Sequence, residues 1–176
     1  MEPDTKTAIS FRMPKIDDGL AIYSLIKQSP PLDLNSSYLY FLQATHFADT
    51  CVVAEKNGEI VGFVSGYFRP DQQDSLFVWQ IAVSDTCRGQ GLGRQLIYNL
   101  IKNQVNRPTV RDVCCTISPS NTASQNLFKS FAEQYGLIVE VSPFLEKTHF
   151  GSEDHEEEEL YTLRAAYKQN LINTVF

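Results

Sequence analysis

The stretch Phe77-Val78-Trp79-Gln80-Ile81-Ala82-Val83, followed after four residues by Arg88-Gly89-Gln90-Gly91-Leu92-Gly93, decides the fold of this 176-residue chain. Its first part is rich in β-branched and aromatic residues, which is typical of a buried strand, and Gln80 is its one polar interruption. Its second part has glycine at alternate positions, and residues 94–101 then repeat apolar side chains at helical spacing. We therefore predict a strand, a glycine loop and a helix in direct succession.

The glycine loop is predicted to bind a phosphate-bearing ligand, because the N–H groups at a helix start point outward and the helix dipole adds about half a positive charge. A dinucleotide-binding loop requires glycine where Arg94 stands and an acid after the next strand, whereas Asp112 precedes that strand. A P-loop requires Gly-Lys-Ser/Thr, and no lysine follows these glycines. The pattern Arg-x-x-Gly-x-Gly is met by Arg88, Gly91 and Gly93. An ordinary tight glycine turn is the alternative interpretation.

This pattern between a strand and a helix resembles the acyl-CoA-binding signature of GNAT-type N-acetyltransferases, in which the loop wraps the pyrophosphate of coenzyme A. The resemblance also implies a contact between Asn121 and the pantetheine arm, although asparagine is equally a preferred helix N-cap. The cofactor contacts that it implies are Ile81, Ala82, Val83, Arg88, Gly89, Gln90, Gly91, Gly93, Arg94 and Asn121.

Composition predicts one soluble, cytoplasmic domain over residues 1–176. Hydrophobic residues make up 43% of the chain, no apolar run approaches about 18 residues, and Met1–Ser10 lacks a signal-peptide core. A net charge of −6 argues against nucleic acid or an anionic membrane as partner. The four cysteines form no C-x-x-C pair, so we expect reduced thiols that mostly pack.

Charge is unevenly distributed along the chain. Basic residues surround the glycine loop, whereas six acids crowd residues 153–159. We therefore expect one end of the domain to favour an anion and the other a cation. The basic residues are Arg88, Arg94, Lys102, Arg107 and Arg111.

The order of the predicted elements agrees with the GNAT resemblance. The resemblance implies an α+β fold (three-layer α/β) of the GNAT-type acyl-CoA N-acyltransferase class. In this class a mostly antiparallel mixed sheet is flanked by helices and splayed between its two central strands. The first helix has Ile16, Leu20, Tyr23 and Ile26 at core spacing, and residues 164–176 receive no role. Predicted strands are 9–12, 51–55, 60–67, 76–83, 113–117, 137–141 and 160–163, and predicted helices are 17–27, 38–47, 94–101 and 121–134. The pair Asn57-Gly58 between the second and third strands predicts a hairpin turn.

Three further segments concern the acceptor: Pro30-Pro31-Leu32-Asp33-Leu34-Asn35-Ser36-x-Tyr38, Leu76–Gln80 and His155-x-x-Glu158-x-Leu160. Together with residues 45–47 and 49–51, they are similar to the diaminobutyrate acetyltransferases of ectoine biosynthesis, over residues 11–163. This resemblance implies acetyl transfer from acetyl-CoA to the side-chain amine of the small diamino acid L-2,4-diaminobutyrate, in a homodimer.

The candidate substrate-binding residues are Asp33, Tyr38, Trp79, His155 and Glu158. The acceptor carries two ammonium groups, and a carboxylate shielded from water holds an ammonium far better than an exposed one. Four of these candidates have an alternative role. Asp33 suits a turn, and Glu158 suits a solvated charge run. Trp79 suits the core, and so does Tyr38.

A free amine must attack the thioester, so the site requires a general base. We predict Glu158 as that base and Asp33 as the ligand of the amino-acid end, with the reverse assignment open. As in the family, a backbone N–H near Ile81 or Val83 is expected to stabilise the oxyanion. Many family members have a tyrosine acid in the helix after the asparagine, whereas Phe128 stands there. We therefore predict no essential acid at that position.

Three alternatives remain at this point. His149 and His155 could serve a metal, but the chain has no His-Glu-x-x-His and we predict none. Another amine, such as a polyamine, ornithine, lysine or a protein N-terminus, could be the acceptor. A non-catalytic acyl-CoA-binding module would bind the cofactor without turnover.

Overall fold

The computed structural model describes residues 8–176, which fall into two compact units. The first unit contains residues 8–65 and 80–103, and the second contains residues 66–79 and 104–176. The two boundaries between the units that lie in the first half of the chain fall inside long strands. These strands are β3 (Glu59–Arg69) and β4 (Gln72–Val83). No helix among residues 8–176 is long and apolar enough to span a membrane.

The first unit pairs its strands in the order β1-β2-β3-β4, and β1 and β2 as well as β2 and β3 are antiparallel. The hairpin between β2 and β3 turns at Asn57 and Gly58, whose φ angles of 55° and 80° are what this predicted two-residue turn requires. The other elements of this unit are β1 (Ser10–Arg12), α1 (Gly19–Lys27), α2 (Ser37–Gln43), β2 (Cys51–Lys56) and α3 (Leu92–Lys102).

Helix α3 lies directly against the sheet because β3 has glycine at position 62. A Cβ atom there would lie 3.1 Å from the side chains of both Leu96 and Ala54. The apolar stripe of α3 that the sequence predicted is buried, and it includes Leu96, Ile97 and Leu100. This close packing fixes the axis of the helix that the glycine loop enters.

Two predictions about α1 and α2 are wrong. Ile16 and Leu20 are 58% and 61% exposed, whereas Ile26 is buried as predicted. Ile16 lies in a separate 3-10 turn over Ile16–Asp18, and Leu20 lies on the side of α1 away from buried Ile22 and Leu25. Helix α2 ends at Gln43 rather than near Phe47, which is exposed. Buried Tyr40 nevertheless packs with Ile22 and Phe63 in a core cluster, which anchors α2.

The second unit pairs its strands in the order β3-β4-β5-β7-β6, which completes a seven-stranded mixed sheet. Strands β4 and β5 are parallel, but their register pairs run only from Ser75↔Asp112 to Phe77↔Cys114. Such short pairing agrees with the predicted splay of the two central strands. The elements are β5 (Asp112–Ile117), α4 (Thr122–Gln134), β6 (Ile138–Leu145), β7 (Glu158–Arg164) and α5 (Leu171–Val175).

Helix α5 was missed by the sequence analysis. Its N–H at Leu171 donates to the carbonyl of Val110 at 2.8 Å, and Leu171, Ile172 and Val175 are buried. Five residues are too short for a helical periodicity to be recognised. Residues 171–175 therefore serve the core of this unit.

All four cysteines are free and buried. Cys114 and Cys115 are adjacent in β5, and burial raises the pKa of both thiols. Raised pKa values keep a thiol protonated and unreactive. The expectation that the cysteines pack as thiols is confirmed.

Candidate active site

The glycine loop joins β4 to α3 through residues with left-handed backbone. Gly89 and Gly91 have φ angles of 73° and 75°, which glycine adopts without strain. Gly91 is the N-cap of α3, and it offers no side chain to cap the first helical turn. The backbone N–H groups at this helix start are thus presented to a ligand, and the positive end of the helix dipole lies behind them.

Two arginines border this helix start. Arg88 is about half exposed, its Nε lies 3.4 Å from the carbonyl oxygen of Val83, and its guanidinium contacts Asp85 at 2.8 Å. An exposed ion pair of this kind contributes little, so a phosphate can replace Asp85 at small cost. The guanidinium of Arg94 lies 3.3 Å from the position a Cβ at Gly91 would occupy. The loop therefore suits a diphosphate.

The predicted cofactor residues at the end of β4 differ in burial. Ala82 is 3% exposed and packs in the core cluster of the first unit, whereas Ile81 and Val83 are half-buried. A contact between Ala82 and a ligand would therefore use its backbone.

The Asp33 loop, residues 29–36, connects α1 to α2 in the first unit and carries the exposed side chain of Asp33. Ser36 caps α2, with its hydroxyl accepting from the N–H of Tyr38 at 3.3 Å. The side chain of Tyr38 is 68% exposed. Gln80 Nε2 donates to the carbonyl of Asp33 at 2.7 Å, a contact that the sequence analysis missed because Gln80 appeared there only as a break in an apolar strand.

Asn121 begins α4 directly after the turn that follows β5. Its Oδ1 accepts from the N–H of Ser124 at 3.1 Å, so the N-cap role is confirmed. Because the oxygen makes the cap, the amide nitrogen is the group of this side chain suited to donate to a ligand carbonyl. The cap and the predicted pantetheine contact are thus compatible on one side chain.

The acidic segment before β7 is tied to the same end of β5. Glu156 accepts from the N–H of Ser120 at 3.0 Å, and this hydrogen bond lowers the pKa of the Glu156 carboxyl. His155 Nδ1 donates to the carbonyl of Glu156 at 2.7 Å, and its ring stacks on Phe150 with centroids 3.9 Å apart. The sequence analysis missed Glu156 as an anchor, because one acid in a run of four shows no distinguishing pattern.

Glu158 is the first residue of β7 and is half-buried. The next residue, Glu159, pairs with Ile117 at the end of β5. The second unit therefore holds Glu158, His155 and Asn121 at the same end of the β5–β7 pair.

Trp79 is 48% exposed, so it is not a fully packed core residue. Its ring lies edge-on to Tyr67 at 6.4 Å, and Tyr67 in turn contacts Phe77 at 5.2 Å. The exposed part of the indole offers an apolar surface that a small ligand can cover.

The predicted site residues are divided between the two units. The first contains Asp33, Tyr38, Ile81, Ala82, Val83 and the glycine loop with Arg88, Gly89, Gln90, Gly91, Gly93 and Arg94. The second contains Trp79, Asn121, His155 and Glu158. Within residues 8–176 there is no group of three or more His, Cys, Asp or Glu side chains arranged to hold a metal ion.

Several known proteins are similar to this chain over most of its length. Residues 20–132 match the family model described as Acetyltransferase (GNAT) family. The L-2,4-diaminobutyric acid acetyltransferase of Vibrio parahaemolyticus is 48% identical over 154 residues, which are 87% of this chain and 84% of that protein. That of Bordetella parapertussis is 42% identical over 160 residues, which are 90% of this chain and 86% of that protein.

A solved structure is also similar: the diaminobutyrate acetyltransferase EctA from Paenibacillus lautus in complex with its substrate L-2,4-diaminobutyric acid and coenzyme A. Its identity is 36% and its TM-score is 0.84, over 90% of this chain and 95% of that one. The resemblance carried by the glycine loop and residues 30–38 is confirmed. This chain belongs to the GNAT family of acetyltransferases.

Proposed function

We propose that this protein transfers the acetyl group of acetyl-CoA to the side-chain amine of L-2,4-diaminobutyrate, giving N4-acetyl-2,4-diaminobutyrate for ectoine biosynthesis. The observation that carries the proposal is its 48% identity, over most of both chains, to a diaminobutyric acid acetyltransferase. This similarity covers 87% of the chain, which is more than the residues 20–132 that the GNAT model matches. Ectoine is a compatible solute, so we further propose a role in osmotic stress and a location in the cytoplasm.

Acetyl-CoA supplies the activated acetyl group as a thioester, and the first unit supplies its phosphate site. Backbone N–H groups at the start of α3 bind the diphosphate, with Arg88 and Arg94 beside them. The amide nitrogen of Asn121 donates to a pantetheine carbonyl while its oxygen caps α4. A backbone N–H near Ile81 or Val83 stabilises the negative charge that develops on the thioester oxygen.

The acceptor is a dication with one carboxylate, so we assign carboxylates to its ammonium groups. Asp33 holds the amino-acid end, and Tyr38 and Trp79 cover the carbon chain with their exposed rings. His155 is oriented by Glu156 and Phe150, and it lies beside the reacting end of the acceptor. Glu158 removes the proton from the side-chain ammonium, directly or through one water.

We also propose that the protein is a homodimer. Strand β6 is at the end of the strand order and leaves Ile138, Val141 and Phe144 between 39% and 50% exposed. An edge strand with apolar side chains is suited to be covered by a second copy. The molar mass in solution, measured by light scattering, tests this proposal, and a monomer at all concentrations contradicts it.

The decisive experiment for the proposed function is mass spectrometry of the product from diaminobutyrate and acetyl-CoA. We expect one acetyl group, located on N4. Ornithine, lysine and a polyamine, measured alongside, are expected to turn over at least about tenfold less efficiently, because a site that fits one chain length loses contacts with others. If one of these amines is turned over faster than diaminobutyrate, that amine is the acceptor. Cofactor binding without thiol release for any amine makes the protein an acyl-CoA-binding module.

We expect Phe128→Tyr to leave kcat within about twofold of the wild type. Phe128 is 1% exposed on the inner face of α4, and a thiolate of pKa about 8.5 can leave without a proton. The new hydroxyl is buried without a partner, so the free energy of unfolding falls by about 1–3 kcal/mol. Steady-state thiol release and urea unfolding measure both effects. A large gain in kcat shows that a missing acid limits the wild-type enzyme.

A further inference from the structure

We infer that Gln80 and Tyr40 form a buried clamp that positions Asp33 for the acceptor. The clamp consists of these two side chains and the two backbone groups that they bind, the carbonyl of Asp33 and the N–H of Asn35. The inference rests on the proposed function, since it concerns how Asp33 is held for the diamino acid. Gln80 and Tyr40 are positioning residues that act through the backbone of the loop.

The clamp is a chain of hydrogen bonds within the first unit. Gln80 Nε2 donates to the carbonyl of Asp33 at 2.7 Å. Gln80 Oε1 accepts from the hydroxyl of Tyr40 at 3.4 Å. That hydroxyl oxygen accepts in turn from the N–H of Asn35 at 3.3 Å. The two side chains thus hold the loop backbone on both sides of Leu34.

Burial makes this chain of contacts specific. Gln80 is 4% exposed and is the one polar residue of the stretch 76–83 of β4, and Tyr40 is fully buried in the core cluster. An apolar side chain could fill the same space, and it would not have to be desolvated. A buried polar group that is hydrogen-bonded fixes one geometry, because any other arrangement leaves its donor or acceptor unpaired.

The rest of the loop explains why such a clamp is required. Its first end is held by the N–H of Leu32, which donates to the carbonyl of Ser29 at 3.1 Å, and its last end by Ser36 at the start of α2. Residues 33–36 have no regular secondary structure, and the side chain of Asp33 is exposed. The clamp therefore fixes the backbone position from which the Asp33 side chain extends. A displacement of about 1 Å at a reacting centre can reduce a rate about 100-fold.

The test compares Gln80→Met and Tyr40→Phe with the wild type by steady-state kinetics. Gln80→Met keeps about the same side-chain volume and removes the hydrogen bonds to Asp33 and Tyr40. Tyr40→Phe loses only the hydroxyl, and with it the hydrogen bonds to Gln80 and Asn35. We expect the KM for diaminobutyrate to rise about 10- to 100-fold. The dissociation constant of coenzyme A, measured by calorimetry, is expected to change less than about twofold, since the α3 helix start is not altered.

Gln43→Met is the matched control. Gln43 is also a buried glutamine, 3% exposed, and its Oε1 accepts no hydrogen bond within the described residues. Its replacement is expected to leave the KM for diaminobutyrate unchanged. A rise in KM equal to that of Gln80→Met assigns the effect to general loss of packing and overturns the inference.

A double variant separates positioning from stability. In an Asp33→Asn background, Gln80→Met is expected to raise the KM less than about twofold further, because the group that it positions is already lost. Multiplicative effects of the two substitutions overturn the clamp. If the wild type does not acetylate diaminobutyrate, the proposed function fails. If it does and both clamp variants keep the wild-type KM, only the clamp fails.

Discussion

Replacing Glu158 by glutamine is expected to lower kcat by about 10²- to 10⁴-fold, which is the usual contribution of a positioned general base. The side-chain amine has a pKa near 10.4, so its deprotonation at neutral pH costs about 4–5 kcal/mol. The glutamine amide keeps the shape of the side chain and cannot accept a proton. The rate of thiol release at saturating concentrations of both substrates measures this decrease in kcat directly.

The pH dependence gives a second readout for the same variant. Without a base, the reaction requires amine that is already unprotonated, so kcat of Glu158→Gln is expected to rise about tenfold for each pH unit below the amine pKa. The wild-type kcat is expected to reach its plateau at a lower pH than the kcat of the variant. The profile therefore distinguishes a lost base from a general loss of activity.

Glu159→Gln is the matched control for Glu158→Gln. The two acids are adjacent in β7, and side chains alternate across a strand, so Glu159 points to the opposite face. We expect kcat of the control to stay within about threefold of the wild type. Full activity of Glu158→Gln across pH, together with inactivity of Asp33→Asn, contradicts our assignment and makes Asp33 the base.

Replacing Gly91 by valine is expected to weaken the binding of coenzyme A more than about 100-fold. Gly91 has a φ of 75°, which a β-branched residue does not adopt without strain, and a Cβ there would lie 3.3 Å from the Arg94 guanidinium. The side chain also covers the N–H groups at the start of α3, where we propose that the diphosphate binds. Calorimetric titration with coenzyme A measures the loss.

Gly58→Val separates this effect from backbone strain alone. Gly58 has a φ of 80° in the hairpin turn between β2 and β3, with open space around it. Both variants are expected to lose about 1–3 kcal/mol of the free energy of unfolding. Only Gly91→Val is expected to lose cofactor affinity. Equal affinities of Gly91→Val and the wild type place the diphosphate elsewhere, and with it the proposed donor site.

Local patterns predicted the elements better than their buried faces. The Asn57-Gly58 turn, the glycine loop and α3 lie where the sequence indicated, because each depends on backbone conformation within a few residues. The exposure of Ile16 and Leu20 was predicted wrongly, since Ile16 belongs to a short 3-10 turn before α1 and Leu20 lies opposite the buried face of that helix.

Candidate site residues could be recognised in the sequence only when a motif contained them. Arg88, Gly91 and Asn121 fit the pattern that resembles the GNAT signature. Asp33 and Glu158 belong to the segments for which we described a resemblance to diaminobutyrate acetyltransferases. Gln80 and Glu156 were missed as supports. Their partners lie 47 and 36 residues away in the chain, and no local spacing indicates such contacts.

The amino-acid sequence by itself determined the family, the position of the glycine loop and the residue types available for acid–base chemistry, because each is encoded in a short run of neighbouring residues. Only the tertiary structure decided how the supporting residues act. Gln80 and Tyr40 meet the Asp33 loop through buried hydrogen bonds, and Glu156 ties the acidic segment to Ser120. These contacts form only when distant parts of the chain pack, since a buried polar group requires a partner wherever the fold provides one.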